Sequence, residues 1–310
     1  MPSVQLQTFC NKSEFDCLDS LGKGAYGRVF KARHKLLDMY YAIKIVPFKK
    51  EALREVKVLS SLDHCHIVRF FCCWIGESGP QSDSSDNSWS ISPSSIDSST
   101  TYLYIQMALC DNDTLREWID KRNSKGTVEN AKRRRKSLTF MQQMVSAVEH
   151  IHSKKFIHRD LKPSNIMFGQ DGNVKIGDFG LVAVENPDDD DDRMERTLSK
   201  GTENYMAPEQ KSEKLYNRKV DIFPLGLIYF ELLWKLSTYF ERSTLWSSVR
   251  QQKLPEGFSR RFMEEYIIIR SMLSEKPEDR PEASEVKTDL DNYTHRLLTQ
   301  EIRCCGSQSD

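Results

Sequence analysis

The chain carries no net charge: 45 Lys and Arg balance 45 Asp and Glu. No overall field therefore points to nucleic acid or to a membrane surface. Long apolar runs are lacking too. The longest, residues 222–234, contains Pro224 and Glu231 and is too short to cross a bilayer. The first residues, MPSVQLQTFC, have no apolar core of the kind a secretory signal needs. None of the eight cysteines (Cys10, Cys17, Cys65, Cys72, Cys73, Cys110, Cys304 and Cys305) is spaced C-x-x-C, which argues against a zinc site. With intracellular chemistry, reduced thiols are expected. What is left is a chain of 310 residues, enough for one large domain or two packed lobes.

What is present is organised around residues 157–180, IHRDLKPSNIMFGQDGNVKIGDFG. DFG follows Asp160 at a distance of eighteen residues, with a hairpin-like segment between. Asp160 can accept a proton from a hydroxyl, and Asn165 and Asp178 can hold magnesium through oxygen. Lys162 can neutralise a transferring phosphate. DFG alone recurs by chance; HRDxKxxN followed by DFG at this distance does not.

Upstream, Leu21 to Val29 reads G-x-G-x-x-G-x-V with Gly22, Gly24 and Gly27, where a missing Cβ lets backbone N–H groups approach phosphates. Alone it could be a glycine-rich turn. Lys44 lies seventeen residues past Gly27 on an apolar strand containing Ala42. A helix is expected over 50–62, with Ala52, Val56, Leu59 and Leu62 on its apolar face. Glu55 falls on that face, where a carboxylate is costly unless paired, and Lys44 is the natural partner. Strands are expected over 66–75 and 102–107, with a Ser- and Asp-rich insert over 78–101. The insert could carry phosphorylation sites, but a tolerated surface loop is the better reading. Met107, Leu109 and Cys110 mark a hinge at 108–110 that would hydrogen-bond adenine.

A short helix over 113–122, capped by Asp113, precedes a polar linker with a basic run at 132–136, read as a solvated connection rather than a nucleic-acid patch. A helix is expected over 138–153. His158 and Met167 read as core residues. The segment 178–209 carries the aspartates Asp188 to Asp192, then Thr197 and Thr202, and ends in Ala207-Pro208-Glu209. Thr197 lies where a phosphate could reach Arg159. Asp221 opens the most apolar helix and should bind the catalytic-loop backbone, Arg280 should pair with Glu209, and a frayed tail is expected over 299–310.

From Gly22 to about Asn292 these motifs resemble the eukaryotic protein kinases. LREVKVLSSLDHCHIVRF, the insert, IHSKKFIHRDLKPSNIMF, KIGDFGL and KPEDRPEASE are similar to the kinases of the translation initiation factor 2 alpha subunit, especially the double-stranded-RNA-activated branch and its Z-DNA-binding fish relatives. The resemblance implies an α+β bilobal kinase fold. Its N-lobe, over 13–107, would be a small antiparallel β-sheet with one main helix, and its larger, mostly helical C-lobe would span 111–298. It implies a serine/threonine protein kinase using ATP and Mg2+. ATP would contact Leu21, Gly22, Gly24, Gly27, Val29, Ala42, Lys44, Met107, Leu109, Cys110 and Met167. The resemblance also implies the factor's alpha subunit as substrate, docked on Thr238, Phe240 and Glu241, with phosphorylation at Thr197 and with Thr202 contacting the catalytic loop and lining the substrate site. A back-to-back homodimer is expected, with Glu14 and Tyr41 at family positions and Cys10 and Phe71 departing from the pattern. A cytoplasmic location, with no direct nucleic-acid or membrane binding, completes the expectation. The twelve residues before the N-lobe predict a catalytic fragment, or a protein activated by something other than a built-in sensor. The rival readings are an active serine/threonine kinase with another protein substrate and a pseudokinase binding module; the latter usually loses the equivalents of Lys44, Asp160, Asn165 or Asp178, and all four are present.

Overall fold

From Phe15 onward apolar residues alternate in short runs rich in aromatic and β-branched side chains, the pattern of half-buried strands. In the computed structural model these runs are β1 (Phe15–Gly24), β2 (Gly27–His34), β3 (Met39–Pro47), β4 (Phe70–Gly76) and β5 (Tyr102–Ala108). They form one antiparallel sheet in the order β1-β2-β3-β5-β4. The model describes residues 14–24, 27–77, 101–124, 130–185, 204–212, 216–236 and 239–306. Cys10, Thr197, Thr202, Thr238, the aspartate run and nearly all of the 78–101 insert lie outside the described residues.

The sheet separates two faces of β3. Tyr41, Ile43 and Ile45 join Phe15, Trp74 and Tyr104 in an aromatic core. There Phe15 stacks on Trp74 at 5.7 Å and Trp74 on Tyr104 at 5.2 Å. Ala42 and Lys44 alternate onto the other face. Tyr41, at a position expected in a dimer interface, is buried in this core, whereas Phe71 beside it is exposed. Helix α1 (Lys50–Leu59) ends three residues short of the expected bound. β4 begins at Phe70 rather than His66, because Ile67 and His66 hydrogen-bond back to His64 in a local turn.

The chain divides into two compact units, Met1–Asn112 and Asp113–Asp310. The second opens with α2 (Leu115–Ser124) and α3 (Asn130–Ser153), followed by β6 (Phe156–Ile157), β7 (Ile166–Phe168), β8 (Val174–Ile176) and β9 (Ala183–Val184). Then come α4 (Glu209–Ser212), α5 (Ile222–Leu233), α6 (Tyr239–Arg250), α7 (Phe258–Arg261), α8 (Met263–Met272) and α9 (Ala283–Gly306). Every residue of α5 is buried, and α3 and α8 pack against it. Among the described residues no helix is long and apolar enough to cross a membrane.

In the second unit three more expectations change. Helix α2 starts at Leu115, not Asp113: Thr114 and Glu117 bond to one another as a capping pair, and Asp113 instead meets Lys121 at 2.6 Å. Helix α3 starts at Asn130, so the basic run is helical rather than a linker. Two of its arginines turn inward. Arg133 is buried and donates to the carbonyls of Glu231, Leu232 and Trp234 at the C-terminal end of α5, while Arg134 forks onto the buried carboxylate of Glu265. Finally, α9 continues through Gly306, past the expected fraying point at Leu298.

Candidate active site

In the first unit, strand register sets the chemistry. Val29 lies opposite Lys44, and Ala42 opposite Met107. Directly paired residues share a sheet face, so Val29, Ala42, Lys44 and Met107 stand together, away from the aromatic core. Lys44 Nζ is 2.6 Å from Glu55 Oε1, and both residues are buried. Leu21 sits at a break in the β1 register, half-exposed beside Gly22, whose backbone pairs with Val29. A Cβ at Gly22 would meet nothing within 4 Å among the described residues. One at Gly27, where φ is +155°, would fall 2.4 Å from the Ile45 carbonyl oxygen, so Gly27 is demanded by sheet packing. In the hinge, the Ala108 N–H donates to the Arg69 carbonyl at 2.8 Å and is therefore engaged within the protein. Leu109 and Cys110 follow, both partly buried.

In the second unit the loop after β6 gathers the remaining candidates. Asp160 is buried. Its Oδ2 accepts from Lys162 Nζ at 2.8 Å and from Asn165 Nδ2 at 2.9 Å. Its Oδ1 is buried with no hydrogen-bond partner among the described residues, an arrangement that is costly in a folded interior unless the atom has work to do. Asn165 Nδ2 also donates to the Asp160 carbonyl, so the amide oxygen is the atom left to act as a ligand. The Gly177 N–H donates to the Asn165 carbonyl at 2.9 Å, which ties the DFG segment to the loop. Next to it, exposed Asp178 is held at φ 55°, and Arg159 at φ 69°; both are left-handed conformations that non-glycine residues adopt at a cost. Met167, on β7, bridges to Thr114.

His158 couples the two segments. The Asp160 N–H donates to its Nδ1, so its Nε2 carries the proton and donates to the Gly177 carbonyl at 3.1 Å. Its ring meets Phe179 edge-on at 4.9 Å. Asp221, fully buried, anchors the loop from below: it accepts from the backbone N–H groups of His158 and Arg159, and its Oδ2 lies 2.9 Å from His152 Nε2. Burial, the largest single influence, would raise the Asp221 carboxyl, but the His152 hydrogen bond and charge, the His158 charge and the Arg159 N–H together hold it below its usual range. Arg159 donates to the Leu181 carbonyl and reaches the Tyr216 hydroxyl at 3.5 Å. Arg280 forks onto Glu209 at 2.5 and 2.8 Å.

Residues not anticipated from the sequence frame the described end of the 178–209 segment. Tyr205 and Arg116 both bond Glu231, buried in α5. Trp246 Nε1 and Arg250, one turn apart on α6, donate to the carbonyls of Asn204 and Met206. Only the i, i+4 spacing of Trp246 and Arg250 hinted at a shared face. Phe240 and Glu241 open the same helix.

The family model described as protein kinase domain matches residues 15–290. The chain belongs to the protein kinase family. It is 41% identical over 283 residues to the interferon-induced, double-stranded RNA-activated protein kinase of Mus musculus, covering 90% of this chain and 51% of that one. It is 42% identical over 219 residues to eukaryotic translation initiation factor 2-alpha kinase 3 of Bos taurus, with 66% and 19% covered. To eIF-2-alpha kinase GCN2 of Arabidopsis thaliana it is 29% identical over 323 residues, with 92% and 25% covered. The chain thus spans about half the length, or less, of these curated relatives. Its kinase domain is of the serine/threonine type, and the family uses ATP with a divalent metal.

The donor set fits such a metal. Among the described residues there is no group of three or more His, Cys, Asp or Glu able to hold an ion alone. One carboxylate, Asp178, and one amide oxygen, Asn165, suit a hard cation that takes its other ligands from phosphate and water.

Proposed function

We propose that this chain transfers the γ-phosphoryl group of ATP, with Mg2+, to a serine of the translation initiation factor 2 alpha subunit, and so restrains translation under stress or viral challenge. The observation that carries the chemistry is the Asp160 carboxylate. One of its oxygens is fixed by Lys162 and Asn165, and the other is buried without a hydrogen-bond partner among the described residues. That second oxygen accepts the proton of the acceptor hydroxyl and aligns it. Bound ATP and Mg2+ supply the phosphoryl group and neutralise its charge. Lys162 offsets negative charge on the transferring group beside Asp160. Asn165 and Asp178 provide the oxygen ligands, and Lys44, held straight by Glu55, grips the phosphates beside the backbone of 22–27. Leu21, Val29, Ala42, Met107, Leu109, Cys110 and Met167 contact the nucleotide base and sugar.

The names of the relatives support the substrate, since two are initiation factor 2 alpha kinases. Thr238, Phe240 and Glu241 are assigned to docking it, and phosphorylation of Thr197, read by Arg159, to ordering the segment. Thr202 lines the acceptor side. The active form is a back-to-back homodimer in the cytoplasm.

The test is a transfer assay with ATP and Mg2+ on the purified alpha subunit, beside a generic basic protein. Serine labelling of the subunit, abolished in Asp160→Asn, is expected. Autophosphorylation without subunit labelling would discard this substrate and keep the kinase. Full turnover by Asp160→Asn would remove Asp160 from its assigned role.

A further inference from the structure

The chain leaves β9 at Glu185, the last described residue before Asn204. Glu185 is held twice. Its N–H donates to the carbonyl of Lys155, which sits at φ 64° where the chain turns out of α3 into β6. Its carboxylate, on a side chain only 14% exposed, accepts from Arg218 Nη1 at 3.4 Å. Arg218 opens a single 3-10 turn, Arg218–Asp221, and the last residue of that turn is the aspartate that accepts from the His158 and Arg159 N–H groups. One short turn therefore grips both strands of the β6–β9 pair, at opposite ends. Asp221 takes the chain leaving β6, and Arg218 takes the chain leaving β9. The lengths agree. Four residues of 3-10 helix run about 6–8 Å at roughly 2 Å each, and the two-residue ladder Phe156↔Val184, Ile157↔Ala183 spans about 7 Å at roughly 3.3 Å each.

The turn is braced from behind. Arg218 Nε donates to Glu282 at 2.8 Å, and Lys219 Nζ lies 3.2 Å from the same carboxylate while donating to the Arg280 carbonyl. The Asn217 side chain caps the turn by accepting from the Lys219 N–H. Because the shorter bond goes to Glu282, the guanidinium is placed by its brace, and the contact with Glu185 acts on the segment rather than on the turn. The β6–β9 pair joins the two acidic groups of the site: Asp160 lies three residues beyond Ile157, and Asp178 five before Ala183. On one side of Asp178 the Gly177 N–H is tied to the Asn165 carbonyl; on the other, Arg159 holds the Leu181 carbonyl and the strand pair follows. We propose, on the roles assigned above to Asp160 and Asp178, that Arg218 is a positioning residue for phosphoryl transfer. By holding Glu185 it closes the outer end of the β6–β9 pair and so sets Asp178 against Asp160.

Two readouts test this: the Mg2+ dependence of transfer to the acceptor that the native chain labels, and hydrogen exchange at the 183–185 amides of the whole chain without nucleotide. Glu185→Gln removes the grip and leaves Arg218 on Glu282. It should raise the Mg2+ concentration for half-maximal rate and speed exchange at 183–185, each by roughly three- to fivefold, the scale of a partly exposed ion pair, with an unchanged melting temperature. Arg218→Gln should do the same at a lower melting temperature, since its bond to Glu282 is lost as well. Glu185→Gln/Arg218→Gln should go no further than Arg218→Gln alone, because one contact cannot be lost twice. Lys287→Gln, which breaks the 2.5 Å bridge to Glu149 elsewhere in the unit, should leave both readouts native. Native Mg2+ dependence in Glu185→Gln, an equal rise in Lys287→Gln, or additive effects in the double variant would overturn the proposal. Asp178→Asn, run alongside, separates the two readings. If it abolishes transfer while Glu185→Gln stays native, only the Arg218 role falls. If it too keeps native Mg2+ dependence, the ligand assignment falls and the Arg218 role with it.

Discussion

Replacing Arg280 by Met tests how the second unit holds Glu209, the last residue of the 178–209 segment. The guanidinium is fully buried, and each of its five N–H groups is used. Two go to Glu209, and the others to the carbonyls of Ser274, Lys219 and Glu275. Its plane also lies over Phe223, 5.0 Å from the ring centre. Methionine fills similar volume but leaves Glu209, itself 3% exposed, as a charge without its partner. Breaking a buried pair from one side costs about 3–5 kcal/mol. For a unit of this size each kcal/mol shifts the melting point by roughly 2–4 °C, so a loss of about 6–20 °C is expected. Thermal and guanidinium melts followed by helical circular dichroism would read it. The double variant Arg280→Met/Glu209→Leu should recover a large part of the loss, because the stranded charge is gone. A single-variant cost below about 1 kcal/mol, or a double variant equal to the sum of both singles, would refute the idea that stranding is what hurts.

Asp221→Asn should destabilise the chain most at neutral pH. The folded carboxyl lies below its ordinary value, so its contribution is complete above about pH 4 and fades as pH falls through the folded value; a difference between native and variant that stays constant on acidification would contradict this. Gly27→Ala should cost more than about 1 kcal/mol because its Cβ meets the Ile45 carbonyl. Gly22→Ala should leave the melting point unchanged and weaken nucleotide binding instead, and equal melting points for the two would sink the distinction. Arg133→Met should cost roughly 3 kcal/mol through lost charge-assisted bonds to the end of α5, against under about 0.5 for Lys132→Ala in the same run; denaturant titration of both would separate the inward and outward halves.

Much of the site was readable because its chemistry is local. Asp160, Lys162 and Asn165 lie within six residues of one another, and the structure joins them by bonds that such closeness permits. The Lys44–Glu55 pair was readable for a different reason: a carboxylate on an apolar face calls for a cation, and one strand supplied it. What escaped depended on distant partners. Nothing near Arg133 in sequence reveals that the carbonyls it caps belong to residues 231–234, and a periodicity that counts arginine as polar places it in solvent. The start of α2, by contrast, was within reach, since Thr114 followed three residues later by Glu117 is a capping-box signature.

The register of β2 on β3 is unbroken from Arg28↔Ile45 to His34↔Met39, whereas β1 on β2 slips at two places. The consequence concerns chain length. Deleting one residue between Met39 and Lys44 would exchange the faces of β3, turning an ammonium into the aromatic core and a core side chain onto the face that carries Ala42 and Met107. Removing two would restore the alternation. Length variation in this sheet should therefore be tolerated along β1, where bulges already absorb odd residues, and come only in even steps along β3.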